Sequence, residues 1–416
     1  MEKLKKYINP FPEFSLDGDY FYSLDIACVM LEFKPPLSKR TSLRIAWAVL
    51  KVLLMLQYLC FTVHLCRTII AQDIEKFATI LNMHFFLTVS IFRAAALAYH
   101  RDTLIKLKQE INEKSCQRDD ADAYEMRKNI FIWNNKFLVM MYCYNTTNMF
   151  IWCFTTGLYD ELFKIPFSLD MLPTALHWLI DVAFVLITVP WSYTGWLSFK
   201  EFMVILRVMR VELAIVVRQF DPLFRNVTER LEITDSSPVS VFQQKQYWAQ
   251  LESSFSSAIS HHSSFINNYQ RLRTIASINF FVLLTSAGLM ISISMFLTLL
   301  RPSFDRLPMQ LFAVQCLFET YLCCSMFTSL EEVNDQIASY VYAIDWLSMV
   351  PRSSDIDFKC YKSIRQNALI LQRQVHGGFT VRAGGMFELN IETFAGMVKL
   401  IHTLLTCMSQ MDLGSE

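Results

Sequence analysis

VRAGGMFELNIETFAGMVKLIHTLLTCMSQM, residues 381–411, is long enough to cross a bilayer and yet carries Glu388, Glu392, Lys399, His402 and Gln410. Placed on one helix, Glu388, Glu392, Lys399, Thr403 and Gln410 fall in a stripe about 60° wide, with Phe394, Met397, Ile401 and Leu404 behind it. Lipid cannot solvate such a stripe. The helix must pack its polar side on protein or line an aqueous path. The plainer alternative is a mediocre span held in a bundle by helix packing alone.

Composition agrees with a membrane setting. Of 416 residues, 53% are hydrophobic and only 18% charged, against roughly 25% charged in soluble domains. Lys plus Arg equals Asp plus Glu at 38 each, so net charge points to no nucleic acid or other acidic partner. Apolar runs of the roughly 20 residues that a span needs occupy 45–66, 77–99, 137–158, 175–199, 275–300 and 309–330, and residues 381–411 make a seventh. The third and fifth are free of charge and the safest; hydropathy alone would miss the seventh. Behind some forty polar and mixed residues, the first run is no cleaved signal peptide.

Lys and Arg crowd the segments before span one, between spans two and three, from Lys200 to Arg273 and from Arg352 to Arg382, and are sparse in the alternate connections. The positive-inside rule therefore predicts a cytosolic N-terminus and an extracellular C-terminus. This divides the chain into a cytosolic segment 1–43, spans one to four over 44–199, a cytosolic helical anchor segment 200–274, spans five and six over 275–330, a second anchor segment 331–380, and span seven over 381–412. The Asn-x-Thr matches at Asn145 and Asn226 then fall in a span and in the cytosol, where no glycan is added. Below span four, KEFMVILRVMRVELAIVVRQF keeps apolar residues at helical spacing; a polar break at 234–238 follows, then amphipathic runs at 242–273 and 339–372. Their apolar faces predict an intracellular anchor, packed on itself or on neighbouring subunits.

Catalytic motifs are absent: no GxxxxGK[ST], HExxH, GxSxG or GxGxxG occurs, and His261-His262 reads as a surface or packing pair. The eleven cysteines show no spacing for a metal or a disulfide framework, although a Cys66 to Cys153 bridge is conceivable. No enzyme, cofactor or metal is expected. Ionisable and polar residues inside spans are the remaining candidates. Arg93 reads as snorkelling to headgroups, and Glu319 as pairing with Arg93 or facing water. Asp181, Asn145, Asn148 and Trp152 share one depth with His84, among Phe85, Phe86, Met149, Phe150, Phe184, Phe312 and Phe318. Such a setting suits a small organic ligand, and a packed core is the alternative.

The last third of the chain resembles a known family. Tyr342-x-x-Asp345-Trp346, an amphipathic helix, then Arg382-Ala383-Gly384-Gly385-Met386-Phe387 and Thr393-Phe394 with Lys399 look like the insect odorant receptor signature. Cys323-Cys324 and His262-x-x-x-Ile266 are similar to weaker features of it. The resemblance implies an all-α membrane protein of seven spans. It implies the odorant-binding subunit of a heteromeric, odorant-gated, poorly selective cation channel, a heterotetramer with odorant co-receptor subunits, in the plasma membrane of dendritic cilia of olfactory sensory neurons. The chain lacks the long insertion between spans four and five that marks the co-receptor itself. A pore gate is implied at Cys407 and Met411, with Gln410 and Thr403 beside them. An odorant pocket is implied around Ile80, Met83, His84, Asn145, Asn148, Trp152, Asp181 and Phe184. A gustatory-type channel of the same superfamily and a small-molecule transporter are the alternatives; the chain shows Thr393-Phe394 where gustatory receptors carry another pattern, and no inverted repeat.

Overall fold

The computed structural model describes residues 14–16, 18–37, 40–113, 116, 118–167, 173–220, 241–300, 306–343 and 355–413. The second glycosylation match at Asn226, the break at 234–238, and Asp345 and Trp346 lie outside these. Helices make up nearly everything: α1 (Tyr22–Cys28), α2 (Thr41–Ala71), α3 (Ile74–Tyr99), α4 (Arg101–Glu113), α5 (Ala121–Trp152), α6 (Thr174–Leu186), α7 (Thr188–Gly195), α8 (Leu197–Arg218), α9 (Val241–Leu300), α10 (Leu307–Tyr342), α11 (Asp355–Gly378) and α12 (Ile391–Leu413). A two-residue antiparallel pair, β1 (Arg382–Ala383) and β2 (Phe387–Glu388), precedes α12.

Among the described residues, five helical stretches are long and apolar enough to cross a membrane: α2, α3, Thr174–Arg218, Gln246–Leu299 and α10. The other two expected spans are helices of more mixed composition. In α5 the apolar sequence is interrupted by Asn134, Asn135, Asn145 and Asn148. Its end widens into a π-helical turn at Cys153–Gly157.

Three elements differ from the sequence expectation. The fourth span is not one helix. Pro190 lacks an N–H and its ring clashes with the carbonyl four residues back, so α6 ends at Leu186 and α7 begins at Thr188. The amphipathic run 242–273 and the fifth span fuse into α9, 60 residues without a break and about 90 Å long at helical rise. Finally, residues 382–388 form the hairpin, so Glu388 leaves the polar stripe of the last helix and pairs with Arg382 at 2.9 Å instead. Gly384, at φ 58°, makes the hairpin's turn, and a Cβ there would stand 2.6 Å from the Phe281 ring of α9. Its N–H donates to the Ser277 carbonyl and the Ser277 hydroxyl donates to the Arg382 carbonyl, which docks the turn on α9.

The main core lies where α8 runs between α5, α9 and α10. Every residue of α8 from Leu197 to Met209 is buried. Beyond the π turn, a second and smaller core gathers Leu54, Phe61, Ile80, Leu87, Phe163, Phe184 and Trp191. Between the two cores sits a cavity.

Candidate ligand cavity and the helices around it

The cavity holds about 90 Å³ and is lined chiefly by single faces of α3, α5, α7 and α10. From α3 come Thr79, Asn82, Met83 and Phe86; from α5, Asn148, Met149 and Trp152; from α7 and the start of α8, Thr188, Ser192 and Trp196; from α10, Pro308, Met309, Phe312 and Gln315. Spacings of three and four put each set on one side of its helix. Aromatic rings form much of the wall: Phe312 meets Phe86 edge-on at 5.2 Å between centroids and Trp196 at 6.2 Å. Phe163 closes one side and meets Trp152 edge-on at 5.1 Å. The close approach of α7 to α3 needs Gly195, where a Cβ would lie 2.6 Å from the Ser90 hydroxyl and 2.8 Å from the Phe86 ring.

Of the residues expected at an odorant pocket, Met83, Asn148 and Trp152 line this cavity. Asn145 stands just behind the wall, accepting from the Gln315 amide at 2.7 Å. The remaining four face elsewhere. Ile80 and Phe184 are buried in the second core, where Phe184 packs on Phe61 and its carbonyl accepts from Gln57 at 2.7 Å. His84 turns to α2, against the Tyr58 ring and 3.1 Å from the Thr62 hydroxyl. Asp181 lies 3.6 Å from His177, one turn back on α6. Phe150, named in the sequence as part of the apolar setting, is 63% exposed and faces outward. Missed were Thr79 and Asn82 of α3, Phe163, and Pro308, Met309 and Gln315 of α10, together with the contributions of α7 and Trp196. The signal for α7 and Trp196, Thr188, Ser192 and Trp196 at intervals of four, was hidden inside a run read as one featureless span.

One turn along α10 from Gln315, Glu319 forms a buried ion pair with Arg93 of α3. Arg93 is 6% and Glu319 1% exposed. The snorkelling expected for Arg93 is therefore corrected: a carboxylate on the neighbouring helix compensates its charge inside the bundle, which costs less than stretching an unpaired guanidinium to the interface.

Elsewhere the sequence candidates find structural roles. His262 is fully buried against Asn334 at 3.0 Å, and His261 lies 3.1 Å from Gln219. Cys66 and Cys153 are both free thiols, so the bridge between them is not formed. No group of metal-ligating side chains occurs among the described residues. In α4, Lys108 bridges Asp25 at 2.7 Å and Glu201 at 2.8 Å. Burial opposes its charge, but the two carboxylates outweigh it and hold the ammonium above the usual lysine range.

The last helix begins at an Asn390 cap, whose side-chain oxygen accepts from the Thr393 N–H at 2.8 Å. It packs Met397 and Ile401 against α9 and α10, and leaves Glu392, Lys399, Thr403, Cys407 and Gln410 exposed in the single chain. Phe394 meets Tyr321 of α10 edge-on at 5.5 Å. Met411 lies near its end, its side chain outside the described residues.

Comparison with curated protein sequences gives no match. Among solved structures, the insect olfactory receptor OR5 from Machilis hrabei is similar, with a TM-score of 0.70 over 95% of this chain and 100% of that one at 13% identity. Its complex with eugenol is similar too, with a TM-score of 0.68 over the same shares and at the same identity. At that identity the likeness is one of fold, and it is the all-α, seven-span architecture expected from the sequence. Residues 73–402 match the family described as 7tm Odorant receptor, most of the chain and all four walls of the cavity, so this protein belongs to the odorant receptor family.

Proposed function

We propose that the chain is the odorant-binding subunit of a heteromeric odorant-gated, non-selective cation channel, assembled with odorant co-receptor subunits in the plasma membrane of olfactory dendritic cilia. The observation that carries this reading is the aromatic-walled cavity between α3, α5, α7 and α10. It has the character of a site for a small, mostly apolar molecule held by few polar groups. A protein of the same fold has been solved with eugenol, which supports a ligand of that size. Nothing in the cavity resembles catalytic machinery, and the family is one of receptors, not enzymes.

In this reading the N-terminus is cytosolic, segments 200–274 and 331–380 form the anchor where subunits meet, and α12 contributes to a central pore. A polar face that lipid would not solvate, exposed in one chain, supports a water-lined position. Odorant burial at roughly 25 cal/mol per Å² yields only a few kcal/mol of differential binding. That shifts a channel from mostly closed to partly open when the gap is of similar size. Transmission runs through α10, which touches the cavity with Phe312 and Gln315 and touches α12 with Tyr321. The gate is the ring near Cys407 and Met411, flanked by Thr403 and Gln410.

The test is whole-cell current in cells expressing this chain alone and with an insect odorant co-receptor, during a broad panel of volatiles. Odorant-evoked cation current confined to co-expressing cells is the expected result. Surface-expressed protein with no current to any volatile in either case overturns the reading.

A further inference from the structure

Two side-chain atoms of the cavity-lining residues are buried and unpaired, and both are hydrogen-bond acceptors. Gln315 spends an amide N–H on Asn145, and Thr188 already accepts from Gln57. Thr79 donates to the Glu75 carbonyl. Asn82 spends an amide N–H on Ser294 at 2.9 Å. The buried lining atoms without a hydrogen-bond partner are the side-chain oxygens of Asn82 and of Asn148. Asn82 comes from α3 and Asn148 from α5, and both line the cavity between the rings of Phe86, Trp152 and Phe312.

Resting on the odorant-binding reading of this site, we propose that the ligands it prefers are volatile alcohols and phenols, one hydroxyl donating to Asn148 or Asn82 and the apolar body lying among the rings. A buried acceptor left unpaired is costly, whereas a ligand that brings a donor removes that cost. A ligand of equal size that can only accept brings no donor to those oxygens and leaves that cost in place. Discrimination by a missing donor is stronger than discrimination by size in an apolar pocket. Ethers, esters and hydrocarbons of the same shape should therefore bind more weakly.

The experiment compares matched pairs that differ only by methylation of the hydroxyl: 2-phenylethanol with its methyl ether, and 4-methylphenol with its methyl ether. Two readouts are taken, the concentration for half-maximal current with the co-receptor and the thermal stabilisation of the purified full chain, which needs no channel. Each hydroxyl compound is expected to act at about tenfold lower concentration than its ether. Asn148→Leu or Asn82→Leu should bring that ratio close to one, a change of ratio that a general loss of folding, which weakens both members of a pair alike, does not produce. Ethers equal to or better than the hydroxyl compounds, or a ratio untouched by both variants, overturn the inference and leave the receptor reading standing. Preferential stabilisation by the hydroxyl compounds with no current in any cell supports the inference and counts against the channel reading.

Discussion

The α8 region and the α6 region are both rich in apolar residues and are packed in opposite ways. Along α8, every side chain from Leu197 to Met209 is buried, Lys200, Glu201 and Arg207 included. Along α6, only Phe184 and Val185 are buried, and Trp178 stands 65% exposed. The difference follows from what surrounds each helix. In the proposed topology α8 lies outside the bilayer, where a helix must bury its apolar surface against protein, and it is enclosed by α5, α9 and α10. A helix within lipid is under no such demand. The helices of that end are therefore free to stand apart, and a cavity between them costs little hydrophobic energy.

The ion pair between these regions gives the largest expected effect. Glu319→Ala leaves Arg93 buried without a countercharge and should cost about 3–5 kcal/mol, read as lost surface expression and a lower unfolding temperature. Replacing both partners, Arg93→Met with Glu319→Leu, should recover most of it; a folded, wild-type-like Glu319→Ala would show that the pair does not join the two regions.

The contrast in packing is tested by two truncations. Phe202→Ala in α8 should cost about 3–5 kcal/mol, while Trp178→Ala in α6 should stay within about 0.5 kcal/mol. Equal losses in a denaturation series would erase the distinction. Gly384→Ala should destabilise by about 1–3 kcal/mol, because a Cβ meets both a left-handed backbone and the Phe281 ring. Gly385→Ala, also at positive φ but with nothing near its Cβ, should cost less, and the gap between the two measures the docking of the hairpin on α9.

Function should respond where stability does not. Met149→Trp fills the cavity and should raise the odorant concentration for half-maximal current about tenfold, with little change in unfolding temperature. A parallel loss of stability would mean that this region is packed core rather than a site. The smallest energetic change is at the proposed gate: Met411→Ser should raise ligand-free current in co-expressing cells, and an unchanged basal current would move the gate elsewhere.

Composition and run length were enough to establish a helical membrane protein, because a span must be long and apolar whatever it touches. The odd polarity of the last span was also legible, and so was the resemblance carried by Ala383-Gly384-Gly385 and Thr393-Phe394. Only the tertiary structure decided which side of each helix faces which neighbour. In a soluble helix the apolar face points to the core, but a lipid-facing residue is as apolar as a buried one. Ile80 and Phe150 read alike in the sequence, yet one is fully buried and the other 63% exposed. For the same reason Met83, Asn148 and Trp152 could not be told from His84 and Phe184 by depth alone. Partners were hidden in the same way: that Arg93 meets Glu319 across more than two hundred residues depends on how α3 and α10 are rotated against each other, and no local spacing records a rotation.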